Sequence, residues 1–211
     1  MLIQAFCSGP LDTNAYVVTC EKTKKSLLID APLESFETIQ EYLKKHHFSL
    51  KSLYLTHSHF DHIADVAKFT EHYPQLELWV HSEDAKNVAS PGSDGIPLFF
   101  SIDAAQVTGF LEQDQKHKLG ELTFTVIHTP GHSPGSVCLY FDNILVLFSG
   151  DTLFKSSIGT LSLPTSEPER MWTSLKKLDI LPQSVKVYPG HGNPTTIGQE
   201  SWLKYAQEHF G

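Results

Sequence analysis

Six consecutive residues, His57-Ser-His-Phe-Asp-His62, hold three imidazoles and one carboxylate. Imidazole is the commonest metal ligand in proteins. In an extended segment alternate side chains point the same way, so His57 and His59 can serve one cation. Asp61 and His62 fall where the chain turns into a following helix and can face a neighbouring position. A sequence of this composition produces such a pattern by chance on the order of 0.002 times. Three further candidates each follow a strand-like stretch beside Gly or Pro: His132 in HTPGHSPGS, Asp151 in SGDTLF and His191 in YPGHG. Ligands collected at strand ends share one rim, which is how distant residues converge.

Five imidazoles and two carboxylates without a thiolate suit a divalent ion such as Zn²⁺, Fe²⁺ or Mn²⁺. A bound metal lowers the pKa of its water from 15.7 to about 7. The expected chemistry is attack of a metal-bound hydroxide on a thioester or ester. Asp61 would be the catalytic residue that orients the nucleophile. Ser133 and Ser149, beside the ligands, read as turn residues. Ligating imidazoles are normally held through their other nitrogen. Asp30 and Thr152 are the candidates for that work, although Asp30 can equally cap a turn before Pro32.

These residues need strands that end together. Leu2–Phe6, Ala15–Cys20 and Ser26–Asp30 read as short strands, then Glu34–His47 as a helix with Phe36, Ile39 and Leu43 on one stripe. Its acids come early and its bases late, as the helix dipole favours, so His46 and His47 read as solvated end charges. A strand at 52–55 runs into the histidine cluster. A helix carrying Ile63, Val66, Ala67 and Thr70 follows, then a strand at 76–80. Residues 90–119 are the least regular and hold Leu98-Phe99-Phe100, expected in the core or a subunit contact. Further on, Leu122, Phe124 and Val126 alternate. Strands at 136–141 and 144–148 flank an Asp142-Asn143 turn. Ser166 and Glu169 have capping-box spacing for a helix with Met171, Leu175 and Leu178 inward. A strand at 185–188 and a helix around Trp202, Leu203 and Ala206 end the chain. His128 reads as filling a strand end, and His72, His81, His117 and His209 as solvated. This order suggests two β-sheets packed together with helices outside.

The 211 residues amount to one domain, 40% hydrophobic and 19% charged, which excludes a disordered or fibrous chain. Sixteen Lys+Arg against 24 Asp+Glu leave a net charge of −8, and Arg170 is the sole arginine. That balance argues against nucleic acid or an anionic membrane as partner. Three cysteines match no disulfide or zinc framework, and no secretory signal or membrane span is visible, so a cytoplasmic location is expected.

The segments HSHFDH at 57–62, TPGHSPGS at 129–136, SGDTLF at 149–154 and YPGHG at 188–192 resemble the metallo-β-lactamase superfamily, in particular its glyoxalase II-like branch. The motifs stand in the family's order and cover most of the chain. The resemblance implies an α/β fold, the αβ/βα sandwich of two mixed β-sheets flanked by helices, as a single domain over 1–211. It implies that His57, His59 and His132 bind one metal, that Asp61, His62 and His191 bind a second, and that Asp151 bridges. In β-lactamases proper a cysteine usually stands at the bridging position. The activity implied is hydrolysis of an S-acylglutathione such as S-lactoylglutathione.

The chain departs from that branch in two places. Twenty residues follow His191, too few for the helical domain that helps bind glutathione. The basic residue that relatives place after the glycine matching Gly159 is replaced in Gly159-Thr160-Leu161-Ser162, leaving Lys155 and Arg170 as substrate-binding candidates. Alternatives are a persulfide dioxygenase with one non-haem iron on His57, His132 and Asp151, and an acyl lactone hydrolase with Leu98-Phe99-Phe100 along the acyl chain. A metal-dependent sensing or structural module is the non-enzymatic alternative, and it would require a closed coordination shell.

Overall fold

A computed structural model describes residues 1–211. Two six-stranded sheets form the centre. The first runs in chain order: β1 (Leu2–Ser8), β2 (Thr13–Thr19), β3 (Lys25–Ile29), β4 (Ser49–Tyr54), β5 (Glu77–His81) and β6 (Gly109–Leu111). The second holds β7 (Lys116–Leu119), β8 (Leu122–His128), β9 (Val137–Phe141), β10 (Val146–Gly150), β11 (Lys186–Pro189) and β12 (Thr195–Thr196). Strands β3 to β6 are parallel, as are β10 and β11, and the other pairs are antiparallel, so both sheets are mixed.

The two-residue period of a strand builds the layers. In β2 and β3, Val18, Leu27 and Ile29 point between the sheets, where they meet Phe124, Val126, Leu139, Phe141 and Phe148. Their neighbours Val17 and Leu28 point outward, onto α1 (Phe36–Lys45) and α3 (Val66–His72) through Ile39, Leu43, Val66 and Phe69. On the far side Cys138, Leu147 and Val187 meet Met171, Trp172, Leu175 and Leu178 of α5 (Pro168–Asp179). Strand β2 is buried along its whole length because both faces are covered.

Several expected elements take a different form. The helix after the histidine cluster is two pieces, α2 (Phe60–Ile63) and α3, broken at Asp65. The Asp65 carboxylate accepts the Phe36 N–H and pairs with Lys68, tying the start of the Phe36–Lys45 helix to α3. The β9–β10 connection is a four-residue turn closing on Leu145 in the left-handed region (φ 55°), because Val146 rather than Ile144 pairs with Phe141. Within 90–119 the chain adds β6 and β7. The capping box does not form: Ser166 lies outside α5, and its hydroxyl instead donates to the His132 carbonyl at 2.9 Å. His117 is not solvated; its Nδ1 hydrogen-bonds the Tyr54 hydroxyl and its ring stacks on Phe124. His81 is half-buried and stacks on His128 at 3.9 Å, while the His128 Nε2 donates to the Pro134 carbonyl. No helix is long and apolar enough to cross a membrane.

Candidate metal centre

Strand direction delivers the polar residues to one rim. Strands β8, β10 and β11 all run the same way, and His132, Asp151 and His191 each lie just past the end of one of them. His57 and His59 lie just past β4 in the other sheet, and Asp61 and His62 lie on α2. Strand β2 runs opposite to β3, so its first residues also reach this rim. Asn14 donates to the carbonyls of Pro189 and Gly192, and the Tyr16 hydroxyl donates to Pro189, which stitches the sheets together beside His191.

All seven candidate ligands meet there. His57, His59 and His132 present donor atoms within 4.8 Å of one another, as do Asp61, His62 and His191. Asp151 touches both groups: Oδ2 is 3.4 Å from His132 Nε2 and 3.5 Å from His191 Nε2, and Oδ1 is 3.4 Å from His62 Nε2. His57 Nε2, His59 Nε2, His62 Nε2 and Asp151 Oδ1 are buried without a hydrogen-bond partner. Buried polar atoms are rarely left unpaired. Four converging here, all of them lone-pair donors in their metal-binding forms, fit a cation-holding cluster.

Other contacts aim these rings. The Thr56 hydroxyl donates to Asp30 Oδ2 (2.8 Å), so His57 Nδ1 donates to that hydroxyl (3.1 Å) and leaves Nε2 free for a cation. His62 Nδ1 donates to Asp30 Oδ2 (2.8 Å), His132 Nδ1 to the Thr160 carbonyl (2.8 Å) and His191 Nδ1 to the Leu11 carbonyl (3.0 Å). His59 differs, with Nδ1 2.9 Å from His132 Nε2. Asp30 therefore braces two imidazoles rather than capping a turn. Thr152 does not brace any: its hydroxyl bonds that of Thr129. We predict that Asp30→Asn weakens cation binding about 10- to 100-fold, measured by competition with a chelator.

Electrostatics divides the cluster. Burial, then the neighbouring imidazoles, pushes His57 well below its ordinary pKa, and burial with His132 lowers His59 to about 3. Both rings are thus neutral donors at pH 7. Burial works against the charge on His62, but Asp61, Asp30 and Asp151 outweigh it and hold the pKa well above the ordinary value. His191 is likewise raised against burial by Asp61 and Asp151. The same attractions, chiefly from His62, keep Asp61 and Asp151 ionised despite their burial.

Two residues escaped sequence reasoning. Thr13 donates to Asp61 Oδ2 at 2.7 Å and so holds the carboxylate in place. Asp84, 4% exposed, accepts from the Ser58 N–H (2.8 Å), the Ser133 hydroxyl (2.9 Å) and the Gly135 N–H (2.7 Å). It clamps the loop carrying His57 and His59 to the loop carrying His132. Its place shortly after β5, like that of Asp30 after β3, is the signal that could have found it. Asp84→Ala leaves the buried N–H groups of Ser58 and Gly135 unpaired, and we predict a loss of about 2–4 kcal/mol in urea unfolding. Ser133 serves this clamp, and Ser149 ties a turn by donating to the Leu153 carbonyl.

A cavity of about 180 Å³ opens onto the cluster, lined by the polar His59, Asp61, His132, Asp151, Thr160 and His191 together with the apolar Leu11, Phe60, Ile96 and Leu163. Neither substrate-binding candidate lines it. Arg170 pairs with Glu167 at 2.6 Å and lies along a separate groove with His128 and Lys177, and Lys155 is exposed elsewhere. Leu98-Phe99-Phe100 is not in the core: Phe99 is 79% exposed, and Phe99 and Phe100 lie against Phe60.

Residues 8–191 match the family described as the metallo-beta-lactamase superfamily. The chain is 30% identical to the probable metallo-hydrolase YqgX of Bacillus subtilis, over 90% of this chain and 89% of that protein. It is 30% identical to Glyoxylase B2 of Dictyostelium discoideum, over 91% of this chain and 70% of that protein. Among solved structures, BLEG-1 B3 metallo-beta-lactamase is 33% identical with a TM-score of 0.87, covering 94% of this chain and 96% of that one. TTHA1623 in a di-iron-bound form is 33% identical with a TM-score of 0.81, at the same coverage.

Proposed function

The chain belongs to the metallo-beta-lactamase superfamily, and from that premise we propose that it hydrolyses a thioester or ester, with an S-acylglutathione such as S-lactoylglutathione as the leading substrate. The observation that carries this reading is the convergence of four unpaired buried donor atoms beside an open cavity. The likeness to Glyoxylase B2 supports the thioester.

His57, His59 and His132 would hold one divalent cation, Asp61, His62 and His191 a second, with Asp151 between them; zinc is the first candidate, and iron or manganese the alternatives. Such cations supply Lewis acidity toward a carbonyl and acidify coordinated water. Asp61 lines the cavity, and its carboxylate accepts the hydrogen bond of an attacking water, while the Thr13 hydroxyl fixes its other contacts. The apolar wall of Leu11, Phe60, Ile96 and Leu163 keeps bulk water from the substrate.

Metal analysis after anaerobic purification, paired with turnover assays, tests this. About two cations per chain and hydrolysis of S-lactoylglutathione or a simpler thioester are expected. One iron per chain with oxygen-dependent turnover of glutathione persulfide would replace the hydrolase reading with a dioxygenase. An acyl lactone and a β-lactam complete the panel, the latter because of the likeness to BLEG-1.

A further inference from the structure

Resting on the hydrolase reading, we propose that the acyl subsite extends beyond what a lactoyl group fills and accepts an apolar chain of medium length, bound along Leu11, Phe60, Ile96 and Leu163 and covered at the mouth by Phe99. Those four side chains line the same cavity as the candidate metal ligands, and none of the ten lining residues is a lysine or arginine. The chain's single guanidinium is engaged with Glu167 on another face. Recognition on this wall is therefore burial of methylenes, not pairing of charge.

The apolar surface continues outward. Phe60 is almost buried, with Phe99 and Phe100 rings at 5.6 and 5.8 Å from it. Leu11, Leu98 and Phe99 are among the few large hydrophobic side chains left exposed. Exposed apolar side chains contiguous with a cavity mark a binding surface. The segment that carries them is anchored: Leu98 packs at Gly92, and Pro164, next to Leu163, packs at Gly95. The placement of Phe60 matters most, because it lies in the sequence between the ligands His59 and Asp61. A chain against its ring lies in the cavity that His59 and Asp61 also line.

The test uses the metal-loaded enzyme and thioesters of N-acetylcysteamine, whose thiol part carries no charge. From acetyl to butyryl to hexanoyl, kcat/KM should rise roughly threefold per methylene. Phe99→Ser should lower the hexanoyl-to-acetyl ratio about fivefold, and Phe99→Leu should restore most of it. Calorimetry adds a readout independent of turnover: the S-hexyl thioether of N-acetylcysteamine should bind more than tenfold tighter than the S-methyl thioether. Equal rates for all acyl groups, or a ratio untouched by Phe99→Ser, overturn the inference. Tight binding of the hexyl thioether with no thioester turnover overturns the hydrolase reading and leaves the apolar subsite standing.

Discussion

Asp151→Ala should cut turnover by on the order of 10³-fold and remove at least one cation per chain. Asp151 is a carboxylate that touches both donor groups, through Oδ2 to His132 and His191 and through Oδ1 to His62. Without it, the two triads of donors no longer share an anion, and the imidazoles of His132 and His191 lose the negative charge that brings them together. Asp151→Asn keeps the shape of the side chain but removes the charge, and should fall nearly as far. Metal content measured beside the urea midpoint separates loss of the centre from loss of the fold. A variant that keeps two cations and full turnover would exclude the shared site.

Gly190→Ala should be nearly as damaging, although glycine carries no chemistry. A Cβ built there lies 2.1 Å from Asp151 Oδ1, 2.9 Å from His62 Cε1 and 3.1 Å from the Gly150 carbonyl carbon. Neither neighbour can give way cheaply. His62 is pinned through Nδ1 to Asp30, and the Asp151 carboxylate is hemmed in by His62, His132 and His191. The methyl must therefore displace a ligand or push the β11 loop outward. Cation affinity should drop on the order of 100-fold, with about 1–3 kcal/mol lost from folding through overpacking. Gly192 is the contrast: nothing lies within 4 Å of its Cβ position, and its φ of +74° is one that asparagine tolerates. Gly192→Asn should keep both cations. Equal effects at the two positions would show that crowding at the ligands is not the cause.

The candidate ligands that the fold brings together were legible in the sequence because their signal is local. Residue type and two-residue alternation in HSHFDH, and the repeated placement of His132, Asp151 and His191 after strand-like stretches, need no tertiary information. The alternating strands and the helical stripes of Ile39 with Leu43 and of Met171 with Leu175 are likewise written in short windows, and they were enough to point to two sheets with helices outside. Tertiary structure alone decided what holds those ligands. Thr13 meets Asp61 across 48 residues, Asp84 meets Ser133 across 49, and Asn14 reaches Gly192 across 178. Ser166 has capping-box spacing, yet its hydroxyl turns to the His132 carbonyl once that loop lies beside it. Leu98-Phe99-Phe100 has a core composition, but whether such a run is buried depends on the surface available to cover it, and both sheets are already covered by helices. Short-range pattern sets which chemistry a side chain can offer. Which partner it meets is set by the packing of segments far apart in the chain, and no window of sequence contains that.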